Sequence, residues 1–173
     1  MLTLYRLMWG ICTPAILLYL YLRSRREPAY TKHLAERFGF HSKREQSHIW
    51  VHAVSLGEVR SAAPLIAQLL QDDLPLVTTH FTPAGRSEIQ RLFPDAVTAG
   101  RLVPCYVPFD TDVAFRRFFK AFSPAYGLVM EVEFWPGMVM SCRKRGVPLF
   151  LCNGQYPSKS FARDQARFFS RAK

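Results

Sequence analysis

None of the four cysteines in this chain has a partner within C-x-x-C spacing. Cys12, Cys105, Cys142 and Cys152 stand alone, which argues against a zinc ribbon or a thioredoxin-type site. Cys105 and Cys152 fall in apolar segments and read as small buried hydrophobes. Nothing requires disulfides, so the globular part suits a reducing compartment. No G-x-G-x-x-G follows the first strand-like segment and no P-loop lysine motif occurs, so dinucleotide and nucleoside triphosphate sites lose their usual support. There is no internal repeat and no low-complexity tract. Acidic residues are scarce, 13 Asp and Glu against 23 Lys and Arg, for a net charge of +10 and a sequence pI near 9.8.

What is present starts with that positive charge. It suits an anionic partner such as nucleic acid, an acidic membrane face or a phosphorylated substrate, without choosing among them. Its location is more informative. Arg23 to Gln46 holds seven basic and three acidic residues directly after an apolar run, and Arg143 to Lys173 holds eight basic residues and only Asp164. A length of 173 residues suits one well-packed domain with little left for a second.

The apolar run is Leu2 to Leu22, with Arg6 as its only formal charge. At about 1.5 Å of rise per residue it just crosses a hydrocarbon core of roughly 30 Å. Arg6 is close enough to the end to snorkel, and Trp9, Tyr19 and Tyr21 suit the interfaces. No small-residue cleavage site follows, which disfavours a signal peptide. Arg23, Arg25 and Arg26 mark the cytoplasmic side, so residues 1–22 are expected to be a membrane anchor with the rest of the chain cytoplasmic. A helix lying half sunk in the leaflet is the alternative.

Residues 23–48 form a basic juxtamembrane segment. Tyr30, Leu34 and Phe38 recur there at i, i+4 spacing and predict a short amphipathic helix. From residue 49 to 173 strands and helices alternate. Strands are expected over Ile49 to Val54, Leu76 to His80, Leu102 to Val107, Tyr126 to Met130 and Pro148 to Cys152. Helices are expected over Val59 to Leu70, Ala84 to Leu92, Asp112 to Phe122 and Gly137 to Lys144. Such alternation indicates an α/β fold, a Rossmann-like parallel sheet with helices on both faces. Ligands bind beyond the carboxyl ends of such strands. That selects the loops Ser55 to Glu58, Thr82 to Gly85, Glu131 to Glu133, and Asn153 to Ser160.

Ser55-Leu56-Gly57-Glu58 matches the S-x-x-E capping box, and spacing alone favours a cap over a catalytic Glu58. Gly57 suits another use, since a glycine at a strand-to-helix turn lets a ligand approach the backbone where the helix start attracts an anion. Glu131 and Glu133 at i, i+2 spacing point to one side of the sheet edge. Two carboxylates held together raise at least one pKa, which is costly without a purpose or a cation. The alternative makes one of them a helix-start residue ahead of Trp135-Pro136. His52 and His80 read as structural histidines, with His80 the better placed of the two to line a cleft.

An N-terminal anchor followed by VHAVSLGE, TTHFTPAG, YVPFD, MEVEFWP and NGQYPSKS, in that order and spacing, resembles the N-terminal half of the Kdo transferases. The resemblance runs over essentially the whole chain. It implies an inverting transfer of 3-deoxy-D-manno-octulosonic acid (Kdo) from CMP-Kdo to a lipid A precursor in lipopolysaccharide synthesis, at the cytoplasmic side of the inner membrane. It implies a GT-B architecture of two Rossmann-like domains, with the acceptor side in the N-terminal one. By the same resemblance Glu58 is the general base and Glu131 stabilises the transition state. Ser55, Gly57, Thr82, Gly85, Glu133, Asn153, Lys159 and Ser160 are expected to bind substrate. No cofactor is implied, and because the CMP leaving group is already a good one a metal is not obligatory.

The sequence departs from the family in two respects. It stops at Lys173, where a family member would still lack its donor-binding domain, so the chain alone is expected to fold but to transfer little sugar. In NGQYPSKS, Gln155 replaces an arginine and Pro157 a serine of the usual pattern, while Lys159 and Ser160 are kept. The rival reading is a truncated, non-catalytic membrane-anchored module binding anionic lipid or a partner protein. Nucleic-acid binding is not expected, because the aromatics sit in apolar strand and helix patterns rather than interleaved with Lys and Arg.

Overall fold

The computed structural model describes residues 2–154. The lysine and serine expected to bind substrate, Lys159 and Ser160, lie outside these residues, as do Gln155 and Pro157. Five strands form one parallel sheet: β1 (Ile49–His52), β2 (Leu76–His80), β3 (Leu102–Tyr106), β4 (Tyr126–Met130) and β5 (Leu149–Cys152). Their spatial order is β3-β2-β1-β4-β5, the doubly wound arrangement in which the chain reverses direction across the sheet beside the first strand.

The side chains of β1 show why both faces are covered. Ile49 and Val51, with Ala53 just past the strand, enter one core, with Val59, Ala62 and Ile66 of α3 (Leu56–Gln71) and Ile89 of α4 (Pro83–Leu92). Trp50 enters the other, with Phe115, Phe118, Phe119 and Phe122 of α6 (Asp112–Phe122) and Met138 of α7 (Pro136–Arg145). A side-chain period of two on a strand buried on both faces leaves no polar alternation, and all four residues of β1 are buried. Gly127 on β4 is fixed by this packing. A Cβ there would lie 2.6 Å from Leu149 Cδ2 and 2.9 Å from Trp50 Cε3. Pro104, which lacks an amide donor, is tolerated because β3 is an edge strand.

Most expected elements appear within a few residues of their sequence bounds. The extra short helix α5 (Pro94–Thr98) starts at a proline directly after α4. The amphipathic helix expected in 23–48 is reduced to a 3-10 turn, Pro28–Tyr30, and the single-turn α2 (Leu34–Arg37). Its apolar residues still cluster, since Tyr30, Leu34 and Phe38 pack with Phe109.

The membrane span expected over residues 1–22 is not shown. The first helix, α1 (Leu2–Ser24), is present, but among the described residues no helix is long and apolar enough to cross a membrane. Pro14 lies within α1, and Arg6, Gly10 and Thr13 dilute the apolar run. One side of the helix is also taken up by the domain itself. Trp9, Ile16, Leu17 and Leu20 pack in the cluster around Tyr30 and Phe109, with the Trp9 and Phe109 rings 6.0 Å apart. The other side is exposed and apolar at Met8, Ile11, Leu18, Tyr21 and Leu22.

Candidate active site

Glu58 sits in the first turn of α3, just beyond the carboxyl end of β1. Ser55 is the N-cap and its hydroxyl accepts from the Glu58 amide. The glutamate reaches back in turn. Its Oε1 accepts from the Ser55 hydroxyl at 2.7 Å and its Oε2 from the Val54 amide at 2.9 Å. The capping box is therefore made, displaced by one residue from its usual partner, the N-cap amide. Glu58 is only 5% exposed. Burial pushes its carboxyl above the ordinary range, the Ser55 and Val54 hydrogen bonds pull it down, and the charges of Glu133 and Glu131 push it up again, for a net rise. A carboxylate offers roughly four lone-pair directions, so two accepted hydrogen bonds leave capacity for a substrate hydroxyl.

The two glutamates that raise Glu58 come from the end of β4. Glu131 adopts φ 54°, in the left-handed region, while its amide donates to the Cys152 carbonyl of β5 at 2.9 Å. A non-glycine residue in that conformation is uncommon and clusters at functional sites. Glu133 accepts from the Trp135 indole at 3.0 Å. Trp135 lies edge-on to His52, with ring centroids 5.5 Å apart, and to Phe81 at 6.2 Å.

The other expected residues divide into caps and packing. Thr82 caps α4, its hydroxyl accepting from the Gly85 amide at 3.2 Å. A Cβ on Gly85 would meet the Ser55 carbonyl carbon at 3.3 Å, so that glycine lets α4 pack closely on the β1–α3 turn. Gly57 faces open space, with only Ser55 Oγ within 4 Å of a Cβ built there. Asn153, at φ 51°, donates to the Ser61 hydroxyl of α3 at 2.8 Å and ties the end of β5 to that helix.

Several residues that shape this edge were not singled out from sequence. Arg37 belongs to no recognisable motif, and Phe81, although within TTHFTPAG, carries no polar group that marks it as a site residue. Asp110 ends YVPFD and caps α7 across the sheet, accepting from the Gly137 amide at 2.8 Å and the Met138 amide at 2.6 Å. A pairing with residues 27 and 28 positions away leaves no local signal. His52 and His80 are fully buried, and desolvation drives their imidazoles down to about 3 and about 4. Thr79 Oγ1 bridges Trp50 Nε1 at 2.7 Å and His52 Nδ1 at 2.8 Å. His80 is bonded at both ring nitrogens, to Ala53 O and Thr78 Oγ1. With Thr78 and Thr79 they form a buried polar network at the carboxyl ends of β1 and β2. Among the described residues no group of three His, Cys, Asp or Glu is placed to hold a metal ion.

A doubly wound parallel sheet with three glutamates at its carboxyl edge defines an α/β protein of the Rossmann-like class. A family model described as 3-deoxy-D-manno-octulosonic-acid transferase (kdotransferase) matches residues 32–172. The chain is 40% identical over 152 residues to the 3-deoxy-D-manno-octulosonic acid transferase of Bordetella pertussis, covering 85% of this chain and 36% of that protein. It is 35% identical over 155 residues to that of Haemophilus influenzae, covering 87% and 35%. Against a probable mitochondrial 3-deoxy-D-manno-octulosonic acid transferase of Arabidopsis thaliana it is 33% identical over 164 residues, covering 92% and 36%. The chain belongs to the Kdo transferase family, and it spans about a third of the length of these relatives.

Proposed function

We propose that this chain is the acceptor-side module of an inverting, GT-B-type Kdo transferase of lipopolysaccharide synthesis, with CMP-Kdo as donor and a lipid A precursor as acceptor. The observation that carries the proposal is Glu58, a buried carboxylate with a raised pKa at the carboxyl end of β1, close enough to Glu131 and Glu133 to feel their charge. An acceptor hydroxyl is a poor nucleophile. It hydrogen-bonds to Glu58, and its proton passes to that carboxylate as its oxygen forms the bond to the anomeric carbon. The bond from that carbon to the CMP phosphate breaks on the opposite face, and its electron pair leaves with CMP, so the configuration inverts. Glu131 supports the positive charge that develops on the sugar ring. A raised pKa makes Glu58 a stronger base than an exposed carboxylate, and Ser55 holds it in position. Glu133, through the Trp135 indole, sets the far wall.

The outward face of α1 supports an in-plane seat at the inner membrane, with its apolar side chains in the leaflet and Arg23, Arg25 and Arg26 facing anionic headgroups. The catalytic reading is tested by joining the chain to the C-terminal part of the Bordetella relative and following CMP release. Glu58→Gln should lower turnover by about 100-fold or more while the far-UV spectrum is kept. Turnover within about threefold of the parent would overturn the assignment.

A further inference from the structure

A cavity of about 350 Å³ lies beside the glutamate cluster, between α1 and the loops that follow β2, β3 and β4. Its walls are Trp9, Ile16 and Tyr19 on one side and Phe81, Phe109 and Trp135 on the other. Trp135 belongs to both places, since its indole donates to Glu133 while its ring closes the cavity. Among the described residues that line it, Arg37 alone is charged.

Arg37 is fully buried, and its Nε and Nη1 have no partner. Nη2 donates to the Phe81 carbonyl at 2.9 Å, and the guanidinium lies over the Tyr106 ring at 4.3 Å and the Phe81 ring at 5.2 Å. The neighbouring carboxylate, Glu36, is committed elsewhere, gripped by both Arg86 Nη atoms and by the Tyr106 amide. A desolvated cation with two idle donors costs free energy unless something negative approaches it.

We propose that this groove holds one acyl chain of the acceptor, with Arg37 selecting an anionic over a neutral lipid. The inference rests on the acceptor being an acylated anionic lipid, as proposed above. The apolar walls match methylenes, and at roughly 30 Å³ per water-sized group the volume takes about a dozen of them. The groove is continuous with the cluster through Trp135, so a chain seated in it leaves the attached sugar near Glu58. Its other wall is α1, whose outer face is the apolar surface from which a lipid would enter.

The test uses the whole chain and its own tryptophans. Trp9 and Trp135 line the groove, whereas Trp50 is buried in the core. Titration with ω-bromododecyl phosphate below its micelle concentration should quench the first two saturably and spare the third. The phosphate should bind about tenfold tighter than ω-bromododecyl maltoside. Arg37→Met should abolish that preference. Ala15→Phe, on the exposed side of α1 and at the groove, should weaken both ligands about tenfold with the fold unchanged.

Unsaturable quenching, or quenching indifferent to Ala15→Phe, would mean adsorption on the face of α1 and overturn the proposal. Equal affinity for the two headgroups in the parent chain would overturn the role of Arg37. No quenching alongside Glu58-dependent transfer would sink the groove alone. Saturable, Arg37-dependent quenching without such transfer would uphold the groove and sink the catalytic assignment.

Discussion

Ser55 and Glu58 bond to each other twice: the hydroxyl donates to Oε1 at 2.7 Å and accepts from the Glu58 amide at 3.3 Å. The pair starts α3 and positions its glutamate in the same act, so the capping and catalytic roles are compatible. Their energetic signatures differ. Ser55→Ala removes a cap and should cost about 1 kcal/mol of stability, measured as a shift in denaturant midpoint. Glu58→Gln keeps an oxygen for the Val54 amide and should cost less, yet it removes the proposed proton acceptor. A stability loss from Glu58→Gln larger than that from Ser55→Ala would mean that Glu58 is chiefly structural.

Gly137 is where α7 meets Asp110. A Cβ there would lie 2.4 Å from the Asp110 carbonyl oxygen and 2.7 Å from its Oδ1. Those atoms are backbone and a buried carboxylate already bound to two amides, so they have nowhere to move. Gly137→Ala should destabilise by about 2 kcal/mol through overpacking. Because α7 begins directly after Trp135, the tryptophan emission should change as well. A variant with an unaltered melting temperature would show that the loop yields freely.

Much of the fold was legible in the sequence because local rules and tertiary packing agree. Strand β2, helix α6 and strand β4 fall within their expected bounds, each delimited by proline, glycine or an Asp/Ser/Thr cap. The site was legible as motifs, and less so as contacts. The capping box was visible as S-x-x-E, but its use of the Val54 amide depends on how the strand turns into the helix. The contact between Arg37 and Phe81 carried no signal, since residues 44 positions apart must converge to make it. The helix expected over 1–22 is present, with a feature that its pattern alone does not reveal. Hydropathy along a chain does not reveal that one side of a helix is already occupied by Phe109 and Tyr30.

Glu36 binds Arg86 at 2.5 and 3.0 Å, with both side chains less than 20% exposed. It also accepts from the Tyr106 amide. Glu36→Gln leaves a buried guanidinium without its counter-charge and should cost about 3 kcal/mol. Glu88 joins two arginines rather than one, but Arg60 and Arg91 are more than 60% exposed, so water replaces what Glu88→Gln removes and the effect should be far smaller. Comparable losses in the two variants would contradict this ranking.

Burial holds three histidines well below their ordinary value, His52 at about 3 and His41 and His80 at about 4. The unfolded chain takes up these protons from about pH 6.5 downward while the native state does not. The contribution is complete above that value and is lost as the pH falls toward 4, by up to about 1.4 kcal/mol per pH unit for each histidine. Glu58 and Asp110, pushed up by burial, bind protons earlier in the native state and offset part of the loss. Glu88, held down to about 2 by Arg91 and Arg60, adds its own loss only below about 4.5. Unfolding midpoints should fall between pH 7 and 5. His41→Phe, which keeps the ring contacts with Phe118 and Phe122, should flatten that slope by about one proton. A midpoint independent of pH would show that these imidazoles reach water.

The coupling of Glu58 to its acidic neighbours gives a signature in the pH–rate profile of the joined enzyme. Burial raises the Glu58 carboxyl and the Glu133 charge raises it further. A general base works only when ionised, so the acidic limb of kcat/KM should turn over above the ordinary carboxylate value. Removing the charge with Glu133→Gln keeps an oxygen for the Trp135 indole but withdraws the repulsion. The limb should then move to lower pH, while the plateau falls far less than in Glu58→Gln. A limb that stays in place would mean that another group titrates. A limb that moves upward would mean that Glu133 organises Glu58 through structure, since loss of a nearby negative charge can only favour ionisation.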